Sequence, residues 1–267
     1  MNLWYTFFGD YMLIDTHCHL LSEDYDNIDE IITEALVDGI QLLVINGYNR
    51  ETNEEAIRLA KKYEKVYAAI GYGPAEVGNI SDNDLVVLEK QLQELKVIAV
   101  GEIGLDYYWY KDNKLEQIKI FRKQIKLAKK YNKPIIVHCR EAIKDTYNVL
   151  KEEDIKKIRG IMHCYSSSLE MAYQFIKLGM LIGVGGVITF KNTKLGNVIK
   201  EIPLEYIVLE TDAPYLTPEP YRGQKNKPAY LKIIANKIAE LKQLEIDTII
   251  NQTGFNALEL FDLKDKI

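Results

Sequence analysis

The chain is poor in cysteine. Only Cys18, Cys139 and Cys164 occur in 267 residues. The count is odd and no pair has CxxC spacing, which argues against a disulfide framework. A reducing, cytoplasmic setting is the expectation. Histidine is almost as scarce: His17, His19, His138 and His163 are the full set. No apolar run approaches the ~18 residues of a membrane span, so no membrane partner is expected. A basic excess is also missing. The 34 Lys and Arg against 39 Asp and Glu give a net charge of −5. That argues against a general polyanion-coating protein and leaves a local basic patch open. No Gly-rich phosphate loop follows the first strand candidate, as a dinucleotide fold would want. The first eleven residues are apolar and aromatic but lack a basic n-region and a small-residue cleavage site, so they do not read as a signal peptide. Residues 1–11 are expected to be an extension ahead of a start at Met12.

Short aliphatic runs alternate with longer helical patterns. Strands are expected at 12–15, 42–45, 66–70, 97–100, 135–137, 160–162, 180–184 and 206–209. They are too continuously apolar for half-exposed antiparallel strands and suit buried parallel ones. Helices are expected at 27–38 after Asp26 as N-cap, 51–64, 82–94 after Ser81, 114–131, 168–178, 228–243 and 246–261. The fifth opens with Ser167 and Glu170 in capping-box spacing. In the fourth, Leu115, Ile118, Phe121, Ile125 and Ala128 share one face. Alternating β and α units imply a parallel sheet. Eight such units, on a chain of this length, imply an α/β fold of (β/α)8 TIM-barrel type in a single domain over 12–267.

All four histidines lie just past expected strand ends, the rim where an α/β barrel builds its active site. Glu102 follows the fourth strand and Asp212 the eighth. Six candidate metal ligands thus converge: His17, His19, Glu102, His138, His163 and Asp212. The His-x-His pair points to one side of a strand and suits a Zn²⁺- or Mn²⁺-like ion. Each residue alone also reads as an ordinary rim side chain; it is the joint pattern that points to metal. Cys18, between the pair, faces away and reads as packing. Asp15 reads either as a carboxylate orienting an imidazole or as a buried hydrogen-bonding group; Glu210, with the parity of Asp212, is a similar candidate. Glycines on both sides of Glu102 allow close backbone approach, and its two oxygens can reach different cations.

These segments resemble the TatD family of metal-dependent deoxyribonucleases, amidohydrolase-like barrels. The motifs stand in family order: Ile14-Asp15-Thr16-His17-Cys18-His19-Leu20, Gly101-Glu102-Ile103-Gly104-Leu105-Asp106-Tyr107, Val137-His138-Cys139-Arg140, His163-Cys164-Tyr165-Ser166 and Glu210-Thr211-Asp212-Ala213-Pro214-Tyr215. Arg222-Gly223 and Asn226-Lys227-Pro228 match further. The resemblance implies two divalent ions (Zn, Mn, Mg or Co). His17, His19, Glu102 and Asp212 would hold one, and Glu102, His138 and His163 the other. It also implies hydrolysis of phosphodiesters, 3′–5′ exonuclease-like on single-stranded DNA or strand ends. Asp212 and Glu102 would be catalytic, Asp212 as general base. The alternative is a barrel of the same type acting on a non-nucleic-acid ester, lactone or amide.

One departure stands out. Where the family typically reads Gly-Ile-His-Pro after the third strand, this chain reads Gly71-Tyr72-Gly73-Pro74, which leaves substrate identity and efficiency open. For substrate, Arg140 and Arg222 are candidate phosphate clamps or else surface salt bridges. Tyr165, Tyr107, Tyr108 and Trp109 offer either stacking faces or packing. Lys119, Arg122, Lys123, Lys126 and Lys130 line one side of the fourth helix, which reads as a solvated outer face. A monomer is expected.

Overall fold

The computed structural model describes residues 11–264. The expected extension therefore lies, apart from Tyr11, outside the described residues. Eight strands alternate with helices: β1 (Leu13–Cys18), α1 (Ile28–Val37), β2 (Ile40–Asn46), α2 (Arg50–Lys62), β3 (Val66–Ile70), α3 (Asp82–Gln91), β4 (Val97–Asp106), α4 (Lys114–Lys130), β5 (Ile135–Arg140), α5 (Ile143–Glu152), β6 (Gly160–Met162), α6 (Leu169–Lys177), β7 (Met180–Val184), α7 (Leu195–Glu201), β8 (Ile207–Leu209), α8 (Leu231–Lys242) and α9 (Ile246–Phe261). The strands pair in parallel in sequence order from β1 to β8. This is the expected barrel.

The two faces of each strand sort into two cores. Ile14, Val44, Ala69, Ile136, Ile161 and Val208 fill the barrel interior. Leu13, Leu43, Ala68, Val137, Met162 and Leu209 face the helices. Burial on both faces explains why the strands read as unbroken apolar runs. Ala257, Leu258 and Phe261 of α9 join the inner core, so α9 closes the end where the strands begin. The helix reaches it through Gly254, where an added Cβ would stand 2.0 Å from the Met12 carbonyl.

The last pair of the ring is completed beyond β8. Asp212 N–H donates to the His17 carbonyl at 2.9 Å, and His19 N–H to the Ala213 carbonyl at 2.6 Å. Below them the Asp15 carboxylate accepts from Thr211 N–H at 3.0 Å and the Thr211 hydroxyl at 2.5 Å. Thr16 Oγ1 donates to the Leu209 carbonyl at 2.9 Å.

Several local expectations change. The helix α1 is capped by Asn27, not Asp26. Ser168, not Ser167, caps α6 and accepts from Met171 N–H, because the helix starts one residue later. The helices α5 and α7 were not foreseen. The helix α5 has no side-chain cap at Ala142, and α7 is a single short stretch of seven residues; both lack the start signal that reveals a helix. His17 and His138 lie within β1 and β5 rather than past them, because both strands, like β4, run on into the rim. Ser81 caps α3 as expected, in a reciprocal box with Asp84.

Gly254→Ala should destabilise the fold by about 1–3 kcal/mol through overpacking against backbone, while leaving the rim untouched. A lowered melting temperature with unchanged cation affinity is the expected result. An unchanged melting curve would contradict this account of the α9 seat.

Candidate metal centre

Two strand irregularities aim the first ligands. In β1, Asp15 pairs with Leu43 and Cys18 with Ile45, so three steps on β1 match two on β2. In β4, Val100 pairs with Ile135 and Ile103 with Val137, again three steps against two. Such bulges switch the side-chain parity. Counting by twos from Ile14 and Ala99, both in the inner core, His17 and Glu102 would face outward. The bulges turn them inward. The glycines beside Glu102 make room: a Cβ on Gly101 would meet Ile136 at 2.6 Å, and one on Gly104 (φ +148°) the His138 carbonyl at 2.0 Å. His138 and His163 need no bulge, being two residues beyond the inward Ile136 and Ile161. Asp212 sits in the left-handed region, φ +56°, just after the seam.

The six predicted side chains meet. His17 Nε2 and His19 Nε2 face each other at 3.0 Å. Glu102 Oε2 lies 3.6 Å from His17 Nε2 and 3.3 Å from His19 Nε2. Its other oxygen, Oε1, lies 2.7 Å from His138 Nδ1 and 4.0 Å from His163 Nε2. Asp212 Oδ1 is 3.5 Å from His17 Nε2 and 3.6 Å from both His19 Nε2 and His163 Nε2. Three ligand groups form around this centre: His17–His19–Glu102, His17–His163–Asp212 and Glu102–His138–His163. Within each, the ligand atoms lie within 4.8 Å of one another. Converging imidazole and carboxylate donors, with ring nitrogens facing ring nitrogens, fit divalent cations.

The outer nitrogens of two rings are hydrogen-bonded, and that of a third, His163, lies beside a carboxylate without a hydrogen bond of good geometry. His19 Nδ1–H donates to the Asn46 carbonyl at 2.8 Å. His138 Nε2 is 3.1 Å from Asp106 Oδ2. His163 Nδ1 is 3.2 Å from Glu210 Oε1, an oxygen that also accepts from Cys164 N–H at 2.5 Å. Such partners fix tautomer and ring orientation. His17 Nδ1 is buried without a partner; its ring stacks on His163 at 3.6 Å between centroids. Glu210 thus does what its parity suggested. Asp15 does not orient an imidazole: it accepts from His17 backbone N–H at 3.2 Å and ties β1 to Thr211. Asn46 and Asp106 escaped sequence reading, because nothing in the local pattern separates them from strand-end turn residues.

Charge follows burial and neighbours. Burial, with His163 and His19 close by, holds His17 well below its ordinary pKa. Burial would raise Glu102, but hydrogen bonds from His138 and His19 keep it well below the carboxylate range. Burial raises Asp212 to about 6 against the pull of His163 and His19. Burial lowers His138 and His163, yet the carboxylates outweigh it: Asp106 and Glu102 lift His138 to about 9, and Glu210 and Asp212 lift His163 to about 10. Burial raises all three thiols, Cys139 to about 11. They are therefore protonated at neutral pH, and Cys18 packs outward with its thiol 3.5 Å from the Val44 carbonyl.

The centre forms the floor of a cavity of about 730 Å³ lined by Tyr48, Trp109, Arg140, Ser166, Val187, Tyr215 and Leu216 besides the ligands. Arg140 stacks on Tyr108 and Trp109, 4.4 and 5.4 Å from their ring centroids. Among the described residues it makes no ion pair. Arg222 stands outside the lining, stacked 3.8 Å from the Phe190 centroid. Tyr165 is 3% exposed. Its hydroxyl donates to the Ser168 carbonyl at 2.5 Å, and it borders a smaller adjoining cavity of about 300 Å³. It is a packing residue of the α6 start rather than a wall of the mouth. Tyr107 is likewise turned in, donating to Asp145 at 2.9 Å. The basic side of α4 is engaged by its neighbours: Arg122 pairs with Glu152 and Glu153, Lys123 with Asp82, Lys130 with Glu89. Gly73 N–H donates to the Tyr48 carbonyl at 2.9 Å, and Tyr48 forms the cavity wall there, 5.6 Å from His19 between centroids.

A rim cluster of this composition on a (β/α)8 barrel defines a metal-dependent hydrolase. The family model described as TatD related DNase matches residues 14–262, and the chain belongs to that family. It is 42% identical over 252 residues to YabD of Bacillus subtilis (strain 168), named an uncharacterized metal-dependent hydrolase, covering 94% of this chain and 99% of that protein. It is 31% identical over 256 residues to YcfH of Escherichia coli (strain K12), named likewise, covering 94% and 96%. The crystal structure of YjjV, a TatD homologue from Escherichia coli K12, superposes with a TM-score of 0.89 at 33% identity, covering 94% and 98%.

With pKa values above 7, His138 and His163 hold protons at neutral pH in the cation-free protein. A cation needs their lone pairs and displaces those protons. Cation binding should therefore release protons, and apparent affinity should fall as pH drops below about 10, more steeply below about 9. Calorimetry in buffers of differing ionisation heat measures the release. A binding heat independent of buffer would contradict the assignment.

Proposed function

We propose that the protein is a two-metal phosphodiesterase acting on DNA, on single strands or strand ends, in the 3′–5′ exonuclease-like manner that its family resemblance implies. The observation that carries the two-metal reading is the split of Glu102: one oxygen faces His17 and His19, the other His138 and His163. His17, His19, Glu102 and Asp212 would hold one cation; Glu102, His138 and His163 would hold the other. Zn, Mn, Co or Mg suit this mixed donor set. Divalent cations bound there would supply Lewis acidity toward a phosphoryl oxygen and would acidify a water.

The chain's own residues do the rest. Asp212, with its raised pKa, takes the proton of the attacking water. Arg140, stacked and without a carboxylate partner among the described residues, offers a planar donor fork to the phosphate. Trp109, 63% exposed at the lip, and Tyr215, 50% exposed, offer faces on which unpaired bases stack. A cavity of this size takes a strand end rather than the side of a duplex. The net charge of −5 suits weak, salt-sensitive engagement. Arg222, outside the lining, contacts the strand only beyond the cavity.

End-labelled single-stranded DNA, incubated with a metal series, tests this reading. Wild type should cleave it and lose activity in chelator; Glu102→Ala should fall to background. Asp212→Asn should lower kcat by about 10²–10⁴-fold, the worth of general base catalysis. Arg140→Ala should raise KM by about ten- to a hundredfold, from the ~1.5–3 kcal/mol of a charge-assisted hydrogen bond. A metal-loaded protein that cleaves no phosphodiester but turns over an ester, lactone or amide would replace this substrate assignment.

A further inference from the structure

Asp106 stands where the cavity lip meets the candidate ligands, and its two oxygens point different ways. Oδ2 lies 3.1 Å from His138 Nε2. Oδ1 accepts from the backbone N–H groups of Tyr108 and Trp109, both at 2.9 Å. The lip these residues form is pinned again from α4. Gln117, fully buried, accepts from Asp106 N–H at 2.8 Å and donates to the Asp106 carbonyl at 3.1 Å and the Tyr110 carbonyl at 2.8 Å. Tyr108 and Trp109 meet edge to face, 4.7 Å between centroids, and carry Arg140 above them.

We propose that Asp106 is a positioning residue that couples the aromatic lip to His138, so that the lip and the second cation site order each other. One rigid carboxylate cannot swing toward the lip without releasing the imidazole, nor follow the imidazole without dragging the lip. A carboxylate at Nε2 keeps the proton on that nitrogen and leaves Nδ1, which faces Glu102 at 2.7 Å, free to bind a cation. An amide behaves differently. Asparagine can still accept from Tyr108 and Trp109 through its oxygen. Its NH₂ then faces Nε2, forces that nitrogen to accept and puts the proton on Nδ1. Asp106→Asn therefore keeps the lip and disables the ligand. Coupling is reciprocal, so cation binding must be felt at Trp109. The inference rests on His138 holding a cation, but asks nothing about the substrate.

The test uses full-length protein in which the other tryptophan, Trp4, is replaced (Trp4→Phe), so that Trp109 is the sole reporter. Zinc is added to the cation-free protein while calorimetry counts sites and fluorescence follows Trp109. Two sites, with an emission change that tracks the His138-side site, are expected. Asp106→Asn, with unchanged melting temperature, should bind one zinc about 10–100-fold more weakly, as loss of a ligand's outer partner does, and shift the emission change to correspondingly higher zinc. Zinc affinity equal to wild type in Asp106→Asn would overturn the proposal. So would a silent Trp109 at zinc saturation of the parent, a result that stands even if the variant fails to fold. A parent that binds no zinc would remove both the metal reading and this inference; a parent that binds two while Asp106→Asn does not differ removes the inference alone.

Discussion

The seam between the last strand and the first governs everything above it. Ring closure is completed by backbone bonds from Asp212 to His17 and from His19 to Ala213, braced by Asp15 on Thr211. The residues that close the barrel are thus the residues, or the neighbours, of the candidate centre. Positions nearly two hundred residues apart in sequence become hydrogen-bonded neighbours. Burial pushes the Asp15 pKa up to about 7, although Thr211 and the His17 backbone pull against it. The carboxylate stays because three donors satisfy it, which is the condition for a polar group in such a place.

Concentrating four imidazoles and two carboxylates in a buried floor is unfavourable without compensation. The protein meets this with a layer of acceptors behind the rings: the Asn46 carbonyl, Asp106 and Glu210. Glu210 itself fits only because position 183 is glycine; a Cβ there would stand 2.5 Å from its Oε2. Neither His163 nor His17 has a hydrogen-bonded outer nitrogen, but His163 has the Glu210 carboxylate 3.2 Å away, whereas His17 has no such neighbour among the described residues. It is instead clamped by its backbone and by the His163 ring. Rigidity of the ligands therefore comes from three different devices, namely carboxylates, a carbonyl and ring stacking.

Sequence reading recovered the barrel, all eight strands and the six converging side chains, because apolar periodicity and rare residues carry those signals strongly. It placed His138 and His163 just past the ends of their strands; His163 does follow β6, while β5 runs on through His138. It could not see the bulges that turn His17 and Glu102 inward, since an extra residue in a strand leaves no mark in composition. Aromatic side chains were equally opaque. Tyr107 and Tyr165 turn into the core, whereas Trp109 and Tyr215 reach the cavity, and only tertiary packing separates them. Tyr48, beside Gly73, was invisible for the same reason: it comes from the loop after β2 and meets the site only in space. Asp106 stood in a family motif without a role; through Oδ1 it caps the backbone N–H groups of Tyr108 and Trp109.

The seating of α9 beneath the inner core has a consequence for traffic. With Ala257, Leu258 and Phe261 packed into the inner core, the base of the barrel is filled among the described residues. A molecule that reached the ligand floor past Trp109 and Tyr215 would have to leave over the same lip.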